Sequence, residues 1–242
     1  MKFSAKISAK CYFVRLIGIV AIAFLLINTY TPVAQAETSY PTYYREKKIH
    51  HPDGIGKYYM KREIAQVMGH QAIMWLERES RLESEKPDLT VENLNLKPDD
   101  VVADIGAGAG YFSFRLAQQV PEGKVYAVDI QPEMLEAIAL LKEDQQITNV
   151  ETVLGQKNNP NLSPASIDLA LMVDAYHEFA YPREMMEGIF QALKPGGRVV
   201  LLEYRKENPM IMIKSLHKMT QKQVKKELQA VGLKWQETKE FL

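Results

Sequence analysis

The pattern of apolar and polar residues changes character along this chain of 242 residues. From residue 101 onwards, short runs that are mainly apolar alternate with longer segments whose apolar residues recur every three or four positions. The uniform runs are typical of strands covered on both faces, and the periodic segments are typical of helices packed on a sheet. The alternation predicts an α/β fold with a doubly wound, mostly parallel sheet.

The predicted elements of this region follow one another closely. Strands are predicted at residues 101–105, 124–129, 150–154, 167–173 and 198–204, and helices at 110–120, from 132, at 182–193 and at 220–231. The last helix begins with Thr220 three residues before Gln223, which is the spacing of a capping box, and Gly232 ends it.

A different pattern precedes the sheet. Residues 37–58 are rich in Tyr, Pro, His and charge without an apolar period, which predicts an extended arm. Within residues 61–78 the apolar side chains recur at helical spacing, which predicts a helix, and residues 89–96 predict a second, short one. Residues 37–96 are therefore predicted as an arm and helices covering the pocket of a domain at 97–242.

The first 36 residues differ again, because they contain four basic residues and no acidic one. Arg15 is followed by an uncharged run of 12 residues, 16–27, and then by Ala34 and Ala36. This order predicts a secretory signal peptide cleaved after Ala36, and thus a periplasmic or secreted protein. The run is shorter than the ~20 residues that span a bilayer, so an uncleaved anchor is the lesser alternative.

The amino-acid composition excludes several classes of protein. Thirty basic residues balance thirty acidic ones, 46% of residues are hydrophobic, and the single cysteine lies in the leader. These values are ordinary for a globular domain and exclude a disulfide framework. The balanced charge gives no basic surface for nucleic acid, so no nucleic-acid partner is expected.

The clearest chemical signal is the glycine-rich segment at residues 104–110, which leads from a strand into a helix. Gly106, Gly108 and Gly110 would let a ligand approach the backbone closely. Asp104 places a carboxylate where a pyrophosphate would be repelled, and the G-x-G-x-G spacing differs from the G-x-G-x-x-G of dinucleotide folds. Asp129 ends the next strand, where an acid can accept hydrogen bonds from both ribose hydroxyls.

These residues, together with the Leu-Lys-Pro-Gly-Gly-Arg segment at 193–198, resemble the class I S-adenosylmethionine-dependent methyltransferases over about residues 94–233. The resemblance implies S-adenosylmethionine as cofactor. It implies that Asp104, Gly106, Gly108 and Gly110 lie under the methionine part. By the same resemblance, Asp129 binds the ribose and Ile130 packs on adenine.

A narrower resemblance, to small exported bacterial methyltransferases, rests on residues 62–70, 176–179 and 216–219.

Two features depart from the wider family. Many relatives carry an acid after the third strand that binds the adenine amino group, but here Gly155 is followed by Gln-Lys-Asn-Asn-Pro. Such folds also end in a hairpin of two strands, whereas residues 233–242 offer one candidate. The seventh strand is therefore predicted to be missing.

Residues 174–179 follow the fourth strand and are the predicted reaction centre. His177 is a candidate general base, because its ordinary pKa of ~6.5 lies near working pH, with Glu178 or Asp174 to orient it. Asp174 is also a candidate cofactor ligand, and Tyr176 is a candidate for contact with the sulfonium. The alternative for His177 is a structural hydrogen bond.

Three other residues are placed near this centre. Glu203 follows the fifth strand and is expected to face substrate, while His70 and His217 are candidates to close over the pocket. The His50, His51 and Asp53 cluster invites a metal interpretation, but a site needs three or four converging ligands and no second cluster is visible. No metal is predicted.

The sequence thus predicts a methyltransferase whose acceptor is a small molecule or an envelope component. Two alternatives stay open at this point. One is a non-catalytic module that binds an adenosine-containing ligand, and the other is an NAD-dependent oxidoreductase, which Asp104 and the glycine spacing disfavour.

Overall fold

The computed structural model of the protein describes residues 43–240. The predicted signal peptide at residues 1–36 and the first part of the predicted arm lie outside the described residues.

A parallel sheet forms the centre of the fold. Its strands are β4 (Val101–Ile105), β5 (Lys124–Asp129), β6 (Val150–Leu154), β7 (Ile167–Val173) and β8 (Leu193–Leu202), in the spatial order β6-β5-β4-β7-β8. Every neighbouring pair runs parallel. The chain moves outward in one direction after β4 and in the other after β7, so the switch point of this sheet lies between these two strands. Open α/β sheets bind ligands beside such a point, at the carboxyl ends of the strands.

Seven α-helices are present among the described residues. They are α1 (Ile73–Leu76), α2 (Arg81–Ser84), α3 (Pro87–Glu92), α4 (Ser113–Gln119), α5 (Pro132–Asp144), α6 (Pro182–Ala192) and α7 (Gln221–Gln229). Three-residue 3₁₀ turns occur at His70–Ala72, Tyr176–Glu178 and Ser215–His217. No helix in the described part of the chain is long and apolar enough to span a membrane.

Both faces of the sheet are covered, which confirms the doubly wound α/β fold. Alternate residues of β4 enter different apolar clusters, because neighbouring side chains on a strand point to opposite faces. One cluster contains Val102, Leu116 and Ile138, from β4, α4 and α5. The other contains Ala103, Met186 and Ile189, from β4 and α6.

The helix predicted across residues 61–78 is wrong. Residues 44–65 form a three-stranded antiparallel sheet of β1 (Tyr44–Glu46), β2 (Gly54–Tyr59) and β3 (Arg62–Ala65), so the predicted extended arm is largely strand. Met60 and Lys61 have φ of 46° and 79° and join β2 to β3 as a two-residue hairpin loop. Regular helix in this segment is limited to residues 70–76, where a 3₁₀ turn leads into α1.

The second predicted short helix, at 89–96, exists but begins two residues earlier. Pro87 takes the first-turn position that proline tolerates.

The C-terminal end of the sheet also differs from expectation. β8 begins at Leu193 rather than at residue 198. No strand forms over residues 233–240. In the described part of the chain the seventh strand is therefore missing, as predicted, and the single candidate strand is absent too. In this segment Leu233 packs on the core, while Trp235 is exposed beside Lys225.

Candidate cofactor pocket and reaction centre

The glycine loop after β4 has a backbone that only glycine adopts easily. Gly106, Gly108 and Gly110 have φ of 77°, 54° and 87°. A Cβ at Gly106 would lie 2.8 Å from the Ala175 Cβ, and one at Gly108 would lie 2.8 Å from the Leu76 Cδ1. The loop is therefore pressed between the end of β7 and the N-terminal region.

Asp104 supplies a buried carboxylate below this loop. Its Oδ2 accepts a hydrogen bond of 2.6 Å from the Ser113 hydroxyl, at the start of α4. Burial raises the pKa of Asp104 to about 6, although the Ser113 hydroxyl and the Arg81 guanidinium favour the charged form. At neutral pH the carboxylate is charged, which suits a cationic ligand group.

Asp129 lies beside the same loop, at the end of β5. Its Oδ2 accepts the Gly108 N–H at 2.9 Å, and its Oδ1 accepts the Gln131 N–H at 2.9 Å. Burial raises the pKa of this carboxyl, and the backbone donors oppose the shift. Each oxygen keeps a lone pair for a ribose hydroxyl. Ile130, the predicted adenine contact, is half-buried directly after it.

A small cavity over the glycine loop is partly walled by the N-terminal region. Leu76 of α1 and Arg81 of α2 line it together with Asp104, Gly108 and other loop residues. Arg81 is almost fully buried, and its Nε donates to the Glu85 carboxylate at 2.8 Å. Sequence reasoning named neither side chain, because the helices that carry them are each four residues long, which is too short for a pattern to show which residues face the pocket.

Asp174 follows β7 on the other side of the switch point. Its φ of 51° is unusual for a residue other than glycine. Its Oδ1 is buried and has no hydrogen-bond partner among the described residues. Burial raises the pKa of Asp174 to about 7, and the Glu203 carboxylate adds to this shift while His177 opposes it.

His177 is the centre of a polar cluster at this end of the sheet. The ring is 1% exposed. Its Nδ1 lies 2.7 Å from Glu203 Oε2, and its Nε2 lies 3.0 Å from His217 Nδ1. Burial alone lowers the pKa of His177, but the Glu203 carboxylate and its acidic neighbours raise it to about 9. Both ring nitrogens are engaged, whereas a general base needs one nitrogen that reaches the substrate.

The other two reaction-centre candidates are placed differently. Glu178 lies within the cluster, where both carboxylate oxygens are 3.2 Å from the Met68 N–H. Tyr176 is fully buried, and its hydroxyl donates to Glu227 at 2.8 Å. The same Glu227 accepts two hydrogen bonds of 3.0 Å from Arg62. Tyr176 is thus part of a buried network that joins β3 to α7, and this position favours a structural role.

Of the residues predicted to lie nearby, Glu203 and His217 do contact His177. His70 instead uses its backbone N–H to bind the Gln131 side chain. In the His50, His51 and Asp53 cluster, the Asp53 carboxylate is paired with Lys214 at 2.6 Å.

The sequence and fold of this chain are similar to those of known protein families and relatives. Residues 96–241 match the family described as "Methyltransferase domain". An uncharacterized methyltransferase-like protein of Schizosaccharomyces pombe is 27% identical over 150 residues, which are 62% of this chain and 56% of that protein. The arsenite methyltransferase of Halobacterium salinarum is 29% identical over 107 residues, which are 44% of this chain and 27% of that protein. The chain therefore spans between about a quarter and a little over half of the length of these curated relatives.

A solved structure gives the same assignment. The crystal structure of a SAM dependent methyltransferase from Aquifex aeolicus superposes with a TM-score of 0.65 at 26% identity, over 69% of this chain and 90% of that one. The family match covers more than half of the chain and coincides with the sheet, the glycine loop and the reaction centre. This chain belongs to the methyltransferase-domain family.

Proposed function

We propose that this protein is an S-adenosylmethionine-dependent methyltransferase. The observation that carries the proposal is the pair of buried carboxylates, Asp104 and Asp129, on either side of a positive-φ glycine loop at the switch point of a parallel sheet. Family membership and the SAM dependent methyltransferase from Aquifex aeolicus support the same cofactor.

The residues of this pocket match the parts of that cofactor. Asp104 offers negative charge to the cationic methionine end, and Asp129 offers two acceptor oxygens to the ribose hydroxyls. The cofactor supplies an electrophilic methyl group on a sulfonium. The chain's own contribution is to hold the acceptor in line with that methyl group, which supplies much of the rate in such displacements. No step here requires His177 as a base.

The proposal extends to the acceptor and to location. We take the acceptor to be a small molecule or an envelope component, and the enzyme to be an exported member of the family. The basic, acid-free leader with its uncharged run at 16–27 supports export. N-terminal sequencing of the protein from cells is expected to begin at Glu37, and a chain that keeps Met1 in the cytoplasm would contradict export.

Binding and turnover are tested separately. Isothermal titration with S-adenosylmethionine and with its demethylated product is expected to show one site. Asp129→Asn is expected to weaken both by roughly 10- to 100-fold, because hydrogen bonds to a charged group contribute about 1.5–3 kcal/mol each. Glu151→Gln is the matched control, since Glu151 is an exposed carboxylate on β6 of the same sheet.

Transfer is then measured with methyl-labelled cofactor, using an envelope extract and a low-mass extract as acceptors. Label in either fraction, lost in Asp129→Asn and kept in Glu151→Gln, supports the proposal. Binding without transfer to any fraction would favour the non-catalytic module. Absence of binding to both cofactor forms would refute the proposal.

A further inference from the structure

We propose that His177, Glu178 and His217 form a binding site for one divalent transition-metal ion. The three side chains come from two 3₁₀ turns, Tyr176–Glu178 after β7 and Ser215–His217 before α7. Each offers one ligand atom, and these atoms lie within 4.8 Å of one another.

The distances within the triad have the size that a metal ion requires. His177 Nε2 lies 3.0 Å from His217 Nδ1 and 3.8 Å from Glu178 Oε1, and His217 Nδ1 lies 3.4 Å from Glu178 Oε1. Two ligand atoms bound at ~2.1 Å in tetrahedral geometry are about 3.4 Å apart. The point equidistant from the three atoms is about 2 Å from each, which is the length of a zinc–nitrogen bond.

The second observation is the way the ligands are held. His177 Nδ1 lies 2.7 Å from Glu203 Oε2, so the ring presents Nε2 to the triad. Glu203 is itself fixed, because its Oε1 accepts the Tyr176 N–H at 2.8 Å. A carboxylate on the far nitrogen of a histidine is the usual outer partner of a metal-bound imidazole. Glu178 is oriented in the same manner by the Met68 N–H.

The charge around the triad also favours a cation. Asp174, Glu178 and Glu203 all lie within 4 Å of a ring nitrogen of His177, and the buried Asp174 Oδ1 lacks a hydrogen-bond partner among the described residues. Grouped buried carboxylates are costly unless a positive charge offsets them. A metal ion bound at Nε2 would supply that charge in place of the second ring proton of His177, since an imidazole ligand is neutral. The nearby Arg62 guanidinium is already held in a bidentate pair with Glu227.

The ligand set indicates the class of ion. Two imidazoles and one carboxylate suit Zn²⁺, Co²⁺, Ni²⁺ or Fe²⁺ and are a poor set for Mg²⁺ or Ca²⁺, which prefer oxygen. Three protein ligands also leave a coordination position open, as in catalytic zinc sites. The sequence did not reveal this set, because His217 is 40 residues from His177 in the chain.

The test uses the full, tag-free chain after treatment with a chelator. Titration with Zn²⁺ is expected to show one equivalent bound, and Co²⁺ is expected to give the visible absorption of a four-coordinate ion. His217→Ala and Glu178→Gln are expected to weaken Zn²⁺ binding at least 100-fold. Glu203→Gln is expected to weaken it by roughly 10- to 100-fold through the outer partner.

His50→Ala is the matched control, because His50 is a partly exposed histidine of the N-terminal sheet region, outside the triad. Circular dichroism confirms that each variant is folded, and a variant that does not fold is replaced by His217→Gln. Absence of stoichiometric Zn²⁺ binding would overturn the proposal. So would unchanged affinity in the His217 and Glu178 variants, or a loss confined to His50→Ala. None of these readouts depends on methyl transfer.

Discussion

Removing one partner of the buried ion pair between Arg62 and Glu227 is expected to be strongly destabilising. Glu227 is 1% exposed and accepts hydrogen bonds from four donor atoms, two of them on Arg62 and the others on Tyr176 and Gln223. Arg62 also donates to the His177 carbonyl at 3.0 Å. The pair therefore ties β3 to both α7 and the reaction-centre turn.

Arg62→Met tests this contribution. The substitution leaves a buried carboxylate with only the Tyr176 and Gln223 donors, and removing one partner of a buried pair costs about 3–5 kcal/mol. For a domain of this size each kcal/mol lowers the melting temperature by roughly 2–4 °C. A decrease of about 6–20 °C is therefore expected, measured by circular dichroism and by urea unfolding at pH 7.5.

Two further variants separate the pair from simple loss of packing. Replacing both partners, with Arg62→Met and Glu227→Leu, is expected to be less destabilising than Arg62→Met alone, because no charge then remains buried. Lys124→Met is the control, since Lys124 and Glu151 form an exposed pair that contributes less than about 1 kcal/mol. If Arg62→Met costs no more than Lys124→Met, the reasoning is refuted.

Two other predictions concern the cofactor pocket. Gly106→Ala is expected to weaken cofactor binding at least tenfold in titration calorimetry, because the new Cβ meets Ala175. Gly196→Ala is the control, since Gly196 has a similar φ but open space around it, and it should leave binding unchanged. Equal effects of the two substitutions on binding would contradict the role of the contact with Ala175. Cofactor affinity is also expected to fall below pH 6, by up to about tenfold per pH unit, as Asp104 with its pKa of about 6 loses its charge. Asp104→Asn should remove this dependence of cofactor affinity on pH. The stability of the ligand-free protein depends on pH in the opposite direction, because burial raises the pKa of Asp104 from 3.8 to about 6. The contribution of Asp104 to the free energy of unfolding is therefore present below pH 3.8 and is lost as pH rises through 6.

The central sheet could be predicted because its information is local. Apart from β8, each strand of the central sheet is a mainly apolar segment of five to seven residues, and the predictions at 101–105, 124–129, 150–154 and 167–173 match the observed strands. The N-terminal hairpin could not be predicted in this way. Its loop uses Met60 and Lys61 at positive φ, where glycine or asparagine is the usual signal, and the apolar spacing after it imitates a helix.

In the candidate site, too, residues that lie near the ends of strands could be predicted, whereas contacts between distant segments were harder to predict. Asp104 and Asp129 lie at the carboxyl ends of β4 and β5, and the glycine loop follows β4 directly, so chain order shows that they meet at one edge of the sheet. His217 was also expected near the reaction centre, and it does contact His177. Arg81, which reaches the pocket from the N-terminal region, left no such signal in the sequence. Tyr176 belongs to the predicted reaction centre by its place in the sequence, but its side chain is buried against Glu227, a contact that the sequence did not indicate.

The contact between Leu76 and the glycine loop has a consequence for how a ligand enters. The Leu76 methyl group occupies the space directly above Gly108, so a ligand that lies on this loop competes with the chain itself. We therefore expect the apparent affinity to equal the intrinsic affinity multiplied by the fraction of molecules in which α1 lies away from the loop. Mutations that loosen this helix would tighten binding without touching the ligand, and the same helix would help to expel the product.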